Sequence, residues 1–224
     1  MNDSKLVLLH SVNAGVSVSF GGFCFFIDAL HNEKAGTYST MTPEMVSVFL
    51  SSSPAPDLLT CTHKHPDHYS DSLSSLAADK YSGMKFVFPE EPCLLQFPGF
   101  SIEFIEMRHL GDARTVPGNY CIVIRCAGKT LFFSGDCDPK DEDGVKRITG
   151  LNPDFSLLSF PWVTLFTGRK AVEALNPSHI AVAHLPLEKD DEFGYRDAAR
   201  KCIEKYYPDA VMFQRFLQSA EFKI

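Results

Sequence analysis

The first third of the chain consists mainly of short apolar or alternating segments, each about as long as a β-strand. Turn-forming residues such as Gly21 and Gly22 separate them. Strands are predicted over KLVLLH (5–10), GVSVSF (15–20), GFCFFID (22–28) and DLLTCT (57–62). The last of these is interpreted as a buried strand, because its apolar residues Leu58, Leu59 and Cys61 do not alternate strictly with polar ones.

Two helices are predicted close to that buried strand. Thr42 followed by Pro43 is typical of a helix N-terminus and predicts a short helix over 44–52. Asp71 is expected to cap a second helix over 72–80, because its carboxylate can accept a hydrogen bond from the first turn. The segment between the buried strand and this second helix is therefore a loop, which is a usual place for functional groups.

The second half of the chain repeats the alternation of strands and helices. Strands are predicted over MKFVF (84–88), SIEFIEM (101–107), NYCIVIRC (119–126), KTLFFSGD (129–136), FSLLSF (155–160), HIAVAH (179–184) and AVMFQRF (210–216). Helices are predicted near 168–175 and over 196–207, and a hairpin turn at Ala127-Gly128. This order predicts sheets covered by helices, that is, an α/β protein. A length of 224 residues suits one domain, or one domain built from two similar halves.

The loop THKHPDHYS (62–70) concentrates three histidines and an aspartate in six positions. Side chains two apart in an extended segment point to the same side, so His63 and His65 are expected to face one position. Asp67 and His68 are expected to turn toward a second position nearby. Imidazole and carboxylate groups together suit Zn, Mn or Fe. An exposed histidine-rich turn without metal is the alternative, and only further ligands decide between them.

Three further residues of metal-binding type follow predicted strands, namely His109, Asp136 and His184. In an α/β architecture the carboxyl ends of strands are where binding sites form. For any one of the three, a hydrogen-bonded residue at a strand end is an equally good interpretation. Together with the histidine-rich loop, they favour a metal site.

Composition narrows the classes of function. A net charge of −7 disfavours a broad nucleic-acid surface, which needs clustered Lys and Arg. There is no apolar run of about 18 residues that could span a membrane, and the N-terminus lacks a secretory signal pattern. Seven scattered cysteines without a C-x-x-C pair are typical of reduced thiols. We therefore expect a cytoplasmic protein with a small-molecule substrate, without nucleic-acid or membrane partners; the sequence does not indicate its oligomeric state.

The residues of ligand type are, in chain order, His63, His65, Asp67, His68, His109, Asp136 and His184. Their order and spacing resemble the metal-binding set of the metallo-β-lactamase-fold hydrolases, and the likeness covers nearly the whole chain. FFIDALH (25–31), with Asp28 at the end of the third strand, resembles the N-terminal aspartate motif of that family. The resemblance implies a four-layer α/β–β/α sandwich, forming a single domain over residues 1–224. The compact length is most similar to the lactonase-like branch.

The resemblance also implies a role for each of these residues. One metal would be held by His63, His65 and His109. The second would be held by Asp67, His68 and His184. Asp136 would bridge the two metals, and Asp28 would orient the loop that carries the ligands. Because no ligand position is lost, an active enzyme is favoured over a degenerate relative.

The activity implied is metal-dependent hydrolysis of an ester, lactone, thioester, amide or phosphodiester of a small, anionic substrate. Two divalent ions about 3.5–4 Å apart would hold the attacking hydroxide between them, and Asp67 is expected to assist proton transfer to the leaving group. Zn is the first choice of metal, and Mn the second because lactonase-like members can use it. Fe is less expected, because redox-active di-iron relatives carry a carboxylate where this chain has His65.

Two other functions stay open at this point. A metal-dependent binding or sensing protein would keep the site without turnover, and an RNA-processing nuclease would need a basic groove that the composition does not supply. Arg108 and Arg114 flank His109 and are candidate contacts for an anionic substrate group. Pairing with a surface carboxylate is nevertheless the more usual role of such an arginine.

Other conspicuous residues are expected to be structural. The acid-rich run DCDPKDEDG (136–144) does not fit the 12-residue calcium-loop pattern and is interpreted as a solvated loop. Cys137 is expected to pack or to point away from the site. His10 and His31 match no metal motif and are interpreted as hydrogen-bonded structural histidines, with the pocket wall as the alternative. Trp162, the only tryptophan, is expected in the core or in a pocket wall.

Overall fold

The computed structural model describes residues 5–111 and 118–224. Within them the chain divides into two compact units, each built on one β-sheet. The first unit contains the described residues up to Phe88, together with His184–Phe193 and Phe213–Lys223. The second contains Pro89–Ala183 and Gly194–Met212. A single domain over residues 1–224 stays a prediction.

The first unit has a six-stranded mixed sheet in the order β13-β1-β2-β3-β4-β5. Its strands are β1 (Lys5–His10), β2 (Val16–Phe20), β3 (Phe23–Ile27), β4 (Leu58–Thr60), β5 (Lys85–Val87) and β13 (Ser219–Lys223). Neighbours from β13 to β3 are antiparallel, whereas β3, β4 and β5 are parallel. The alternating sequence of β1 buries Leu6 and Leu8 completely, as the two-residue period of a strand requires.

Two helices accompany this sheet, and capping residues begin both. α1 (Pro43–Ser52) starts as predicted: the Thr42 side chain accepts a hydrogen bond from the backbone of Met45 at 3.2 Å. α2 (Asp71–Lys80) is capped by Ser70, whose hydroxyl accepts from the backbone of Leu73 at 3.4 Å. The prediction that Asp71 is the cap was wrong by one position. As the first helical residue, Asp71 still places its negative charge at the favourable end of the helix dipole.

The core of the first unit lies between this sheet and α1. Phe26 of β3 packs against Phe49 of α1 with ring centroids 5.3 Å apart, and against Tyr81 in an edge-on contact at 6.4 Å. Leu59 of β4 joins the same cluster of buried side chains, and α2 contributes Ala77. Burial of this apolar surface holds β3 and β4 in place. β3 is followed directly by Asp28, and β4 leads into the histidine-rich loop.

The second unit has a seven-stranded sheet in the order β12-β11-β10-β9-β8-β7-β6. Its strands are β6 (Cys93–Phe97), β7 (Phe100–Glu106), β8 (Tyr120–Cys126), β9 (Lys129–Phe133), β10 (Phe155–Ser159), β11 (Ile180–Ala183) and β12 (Val211–Met212). The pairs from β6 to β9 are antiparallel and those from β9 to β12 are parallel. Both sheets thus combine an antiparallel part with a parallel part, as expected for two architecturally similar halves.

The helices of the second unit are α3 (Glu142–Ile148), α4 (Phe160–Thr164), α5 (Phe166–Leu175) and α6 (Tyr195–Tyr206). α3 corrects the prediction of a solvated loop over 136–144. Asp141 is its N-cap and accepts a hydrogen bond from the backbone of Gly144 at 3.2 Å. Trp162 of α4 is fully buried, and its indole N–H donates to the carbonyl oxygen of Cys137 at 2.8 Å, so this tryptophan belongs to the core.

Residues of ligand type follow strands in both units. Asp28 comes directly after β3, the histidine-rich loop comes two residues after β4, and Asp136 comes after β9. His109 follows β7 and His184 follows β11. Among the described residues, no helix has both the length and the apolar character needed to cross a membrane.

Candidate metal centre

The carboxylate of Asp28 holds the start of the histidine-rich loop. It accepts hydrogen bonds from the backbone N–H of Thr62 at 2.7 Å and from the Thr62 hydroxyl at 2.9 Å. The same carboxylate lies 3.1 Å from Nδ1 of His68. All three side chains are buried. Asp28 therefore fixes both the backbone of the loop and one imidazole within it.

Two imidazoles and a carboxylate of the first unit converge on one point. Nε2 of His68 lies 3.2 Å from Nε2 of His184. Oδ2 of Asp67 lies 3.3 Å from the His184 nitrogen and 3.8 Å from the His68 nitrogen. The three residues are at least 95% buried. This is a set of nitrogen and oxygen donors with little access to water.

The chemistry of this donor set fits a divalent cation. Because the Asp28 carboxylate can only accept a hydrogen bond when ionised, Nδ1 of His68 carries the hydrogen and the lone pair of the neutral ring is on Nε2. That lone pair is directed at the His184 nitrogen and the Asp67 carboxylate. Electron-rich atoms gathered in a buried place are stabilised by a positive charge between them. A carboxylate behind a ligating histidine is also the usual support of a metal ligand.

His63 and His65 form a second pair of imidazoles in the same loop. Their ring centroids are 4.4 Å apart, and one nitrogen of each lies within 4.8 Å of one nitrogen of the other. The backbone then turns, since the N–H groups of His68 and Tyr69 both donate to the carbonyl oxygen of His65 at 3.0 Å. This turn brings His63 and His68 to a centroid distance of 4.1 Å. Two neighbouring groups of residues of ligand type therefore lie within the first unit, and their role as metal ligands stays a prediction.

His109 and Asp136 lie close together in the second unit. Nε2 of His109 is 3.7 Å from Oδ2 of Asp136. An isolated β-bridge between His109 and Cys137, and a hydrogen bond of 2.8 Å from the Leu110 N–H to the Asp136 carbonyl, tie the two loops to each other. The unit thus presents an imidazole and a carboxylate side by side at the ends of β7 and β9.

Of the two arginines predicted as candidate substrate contacts, the structure describes only Arg108. The Arg108 guanidinium donates to Oδ2 of Asp138 through Nε at 3.2 Å and through a terminal nitrogen at 2.8 Å. Its backbone N–H donates to Asp141 at 2.8 Å. This favours a structural role, joining the loop that carries His109 to the segment before α3. Arg114 lies outside the described residues.

Cys137 and His10 are structural, as expected, whereas the expectation of hydrogen bonds at His31 was wrong, because neither ring nitrogen of this buried histidine has a hydrogen-bond partner among the described residues. Cys137 is buried, and desolvation raises the pKa of its thiol well above the usual value, so it is not an activated nucleophile. The ring nitrogens of His10 lie 2.9 Å and 3.0 Å from the carbonyl oxygens of Arg215 and Asn13. Burial lowers the pKa of His31 to about 4, with the nearby His68 adding to the effect.

Three residues that contact His184 or support its contacts were not identified from the sequence, namely Asn13, Tyr38 and Ser39. The ring of Tyr38 packs on the His184 imidazole, Asn13 accepts a hydrogen bond from the His184 backbone, and Ser39 is bonded to Asn13. These contacts join positions 26 to 171 residues apart, which no local pattern records. The residues SVNAG (11–15) are of turn-forming type, and this is the local signal for Asn13.

No family model and no curated protein sequence matches this chain. Solved structures do. Igni18, a metallo hydrolase from Ignicoccus hospitalis, is 18% identical and superimposes with a TM-score of 0.65 over 98% of this chain and 99% of its own. The metallo-β-lactamase fold protein YhfI from Bacillus subtilis is 15% identical, with a TM-score of 0.66 over 99% of this chain and 100% of its own.

A third similar structure has a different chemistry. CmlA from Streptomyces venezuelae, a diiron β-hydroxylase, is 13% identical, with a TM-score of 0.63 over 98% of this chain and 54% of its own. At these levels of identity the likeness shows the fold. The fold class predicted from the sequence is thereby confirmed.

Proposed function

We propose that this chain, which has the metallo-β-lactamase fold, is a metal-dependent hydrolase. The observation that carries the proposal is the convergence of the His68 and His184 Nε2 atoms with Oδ2 of Asp67, supported from behind by Asp28. A donor set of this kind, buried and made of imidazole and carboxylate, suits Zn or Mn. The named metallo hydrolase and metallo-β-lactamase fold neighbours support the same direction.

The proposed centre is dinuclear. The first ion would be held by His63, His65 and His109. The second would be held by Asp67, His68 and His184. Asp136 would bridge the two ions. The pairs His63–His65 and His68–His184 in the first unit, and His109–Asp136 in the second, supply the donor types that this arrangement needs.

The chemistry that two divalent ions supply is a nucleophile from water at neutral pH and polarisation of a substrate oxygen. The protein side chains would orient the metal ligands, transfer a proton and exclude water. Asp28 holds the ring of His68 through Nδ1, which keeps Nε2 available as a ligand. Asp67, whose Oδ2 lies 3.3 Å from Nε2 of His184, would carry a proton to the leaving group. Burial of these groups excludes bulk water and strengthens their electrostatic effect.

We propose Zn as the metal, with Mn second and Fe third, and a small, anionic ester, lactone, thioester or phosphodiester as substrate. The presence of His65 in place of a carboxylate favours hydrolysis over oxygen chemistry. The diiron β-hydroxylase CmlA has the same fold, so the metal itself has to be measured. The net charge of −7 agrees with a small substrate rather than with a nucleic acid.

Elemental analysis of protein purified without added metal tests the proposal, followed by a panel of lactones, thioesters and phosphodiesters. We expect two equivalents of Zn or Mn per chain and turnover of at least one substrate class. His65→Ala and Asp136→Asn should abolish turnover, while His179→Ala, a histidine outside the proposed ligand set, should not. One equivalent of iron per chain would overturn the proposal that the chain is a hydrolase. Metal without turnover of the whole panel would favour the binding protein.

A further inference from the structure

Tyr38 packs directly on a proposed metal ligand. Its ring centroid lies 4.2 Å from that of His184, with the two planes tilted by 36°. His184 also contacts His68, with ring centroids 5.0 Å apart. The His184 imidazole is thus held by two ring contacts in addition to its polar contacts through Nε2. Neither Tyr38 nor the adjacent residues Thr37 and Ser39 belong to the proposed ligand set.

The position of Tyr38 is fixed by the next residue, Ser39, which is buried and bonded through four hydrogen bonds. Its backbone forms two with the side chain of Asn13: the Asn13 amide donates to the Ser39 carbonyl at 2.8 Å, and the Ser39 N–H donates to Oδ1 of Asn13 at 3.1 Å. The Ser39 hydroxyl donates to Asp190 at 2.7 Å and accepts from the Leu187 N–H at 2.8 Å. A residue tied at both backbone and side chain leaves the preceding ring little freedom.

The same bonds also hold the backbone of His184. Its N–H donates to the carbonyl oxygen of Asn13 at 2.8 Å, and Asn13 forms an isolated β-bridge with Leu185. Ser39 therefore contacts Asn13, which accepts the hydrogen bond from the His184 backbone, and also the segment that follows His184, through Leu187 and Asp190. Side chain and backbone of His184 are restrained by one connected set of residues.

His184 needs such restraint because its backbone is strained. It has a φ of +60°, in the left-handed region that non-glycine residues rarely adopt. A residue in this region is strained and persists only where the surrounding contacts hold it in place. Without the packed ring beside it, the imidazole would have alternative rotamers, and a ligand that samples several rotamers binds metal less tightly.

We propose that Tyr38 is a positioning residue for His184, and that it acts through its aromatic ring rather than through its hydroxyl. Ser39 is the anchor that places the ring. The proposal rests on the proposed function, because it assigns Tyr38 to the metal site formed with Asp67, His68 and His184. It adds a requirement for that site that the ligand set alone does not contain.

The test compares metal binding by variants of the whole chain. Metal-free protein is titrated with Zn in competition with a chromogenic chelator, which resolves two binding steps. Tyr38→Ala should weaken one step by about 10–100-fold, as loss of a supporting residue usually does, and leave the other within twofold. Tyr38→Phe should bind as the unchanged chain does. Ser39→Ala should weaken the same step as Tyr38→Ala, and Tyr206→Ala, which removes an exposed tyrosine ring, should change neither.

A second measurement reports on the ring without metal. The His184 imidazole protons of the metal-free protein, assigned by their loss in His184→Gln, should show a ring-current shift that Tyr38→Phe keeps and Tyr38→Ala removes. Thermal unfolding of each variant checks that it is folded. Ser39→Ala should also reduce the ring-current shift of His184, because it removes the hydroxyl contacts that help to place the Tyr38 ring.

The outcomes separate the two proposals. Unchanged Zn affinity together with an unmoved His184 signal in Tyr38→Ala would overturn the positioning role. An equal loss in Tyr38→Phe and Tyr38→Ala would assign the effect to the hydroxyl and overturn the proposal as stated. If the unchanged chain takes up no metal, the proposed function fails, and the imidazole signals alone decide whether Tyr38 positions His184.

Discussion

Oδ2 of Asp28 lies 3.1 Å from Nδ1 of His68, and both side chains are buried. The Asp28 carboxylate also accepts the two hydrogen bonds from Thr62, so one residue at the end of β3 orders the loop that leaves β4. β3 and β4 are neighbouring parallel strands, with Ile27 paired to Thr60. The register of the sheet therefore sets the distance between this carboxylate and the loop that it holds.

Replacing Asp28 with asparagine keeps the size of the side chain but removes its charge. We expect Asp28→Asn to weaken Zn affinity by about 10–100-fold, because the His68 ring loses the carboxylate that fixes its tautomer and orientation. Chelator competition measures this loss. Asp57→Asn is the matched control, since Asp57 also accepts a backbone hydrogen bond, from Cys24 at 2.8 Å, but belongs to no ligand group. Equal losses in both variants would contradict a specific role for Asp28.

Gly15 is the site of a close approach between the 11–15 turn and the Asp28 backbone. A Cβ at this position would collide with the Ser11 hydroxyl and lie 2.6 Å from the carbonyl oxygen of Asp28. Since backbone atoms cannot move aside cheaply, we expect Gly15→Ala to destabilise the fold by about 1–3 kcal/mol. Gly83→Ala, where a Cβ meets nothing within 4 Å, is the control. Urea unfolding measures both, and an unchanged midpoint for Gly15→Ala would show that the turn can relax.

His31 should make the free energy of unfolding of the metal-free protein depend on pH. Burial lowers the pKa of His31 to about 4, below the ordinary 6.5, so the unfolded chain binds a proton between these values that the folded chain does not. The free energy of unfolding should therefore fall as the pH is lowered from about 6.5 to 4, by up to about 3 kcal/mol from this residue.

Urea unfolding at pH 7 and pH 5 measures that loss. The loss should be smaller in His31→Gln, whose side chain does not titrate, than in the unchanged chain. His179→Gln, at a partly exposed position, should behave as the unchanged chain does. The same loss in His31→Gln and in the unchanged protein would show that other groups cause the acid sensitivity.

The cysteines should be largely unreactive in the folded state. Five of the seven are buried, and only Cys93 and Cys202 are partly exposed. Burial raises the pKa of the Cys137 and Cys61 thiols well above the usual value, so neither supplies a thiolate at neutral pH. We expect alkylation of native protein to modify at most two cysteines, which mass spectrometry would show. An activity assay of the alkylated protein should find any hydrolytic activity intact. Rapid labelling of Cys137 would contradict this.

The strands and helices that the sequence predicted best are those with strong periodicity and local caps. The Thr42-Pro43 start of α1 and the hairpin across Ala127-Gly128 are confirmed because their causes lie within a few residues. β6 was missed although Pro98-Gly99, a turn pair, joins it to β7. Its apolar residues follow Glu90, Glu91 and Pro92, which are residue types that occur rarely in strands.

The sequence predicted the types of residue in the candidate site, but not the contacts between residues that are far apart in the chain. Histidines and aspartates at strand ends are visible in the sequence, and their convergence within the first unit agrees with that interpretation. The acid-rich run 136–144 was not interpretable in the same way, because Asp138 and Asp141 take their roles from Arg108, some 30 residues distant. The same holds for Ser39, whose partner Asp190 is 151 positions away.

The gathering of the His68 and His184 nitrogens with the Asp67 carboxylate has a consequence for how long the protein survives in a cell. The three donor atoms lie 3.2–3.8 Å apart in a buried place, where a bound cation would add its binding free energy to the stability of the fold. Under the proposed function, a bound ion adds to stability in proportion to the logarithm of its free concentration over its dissociation constant. The unfolded fraction open to proteases then rises as metal becomes scarce. Abundance of the chain would follow metal supply, even with synthesis constant.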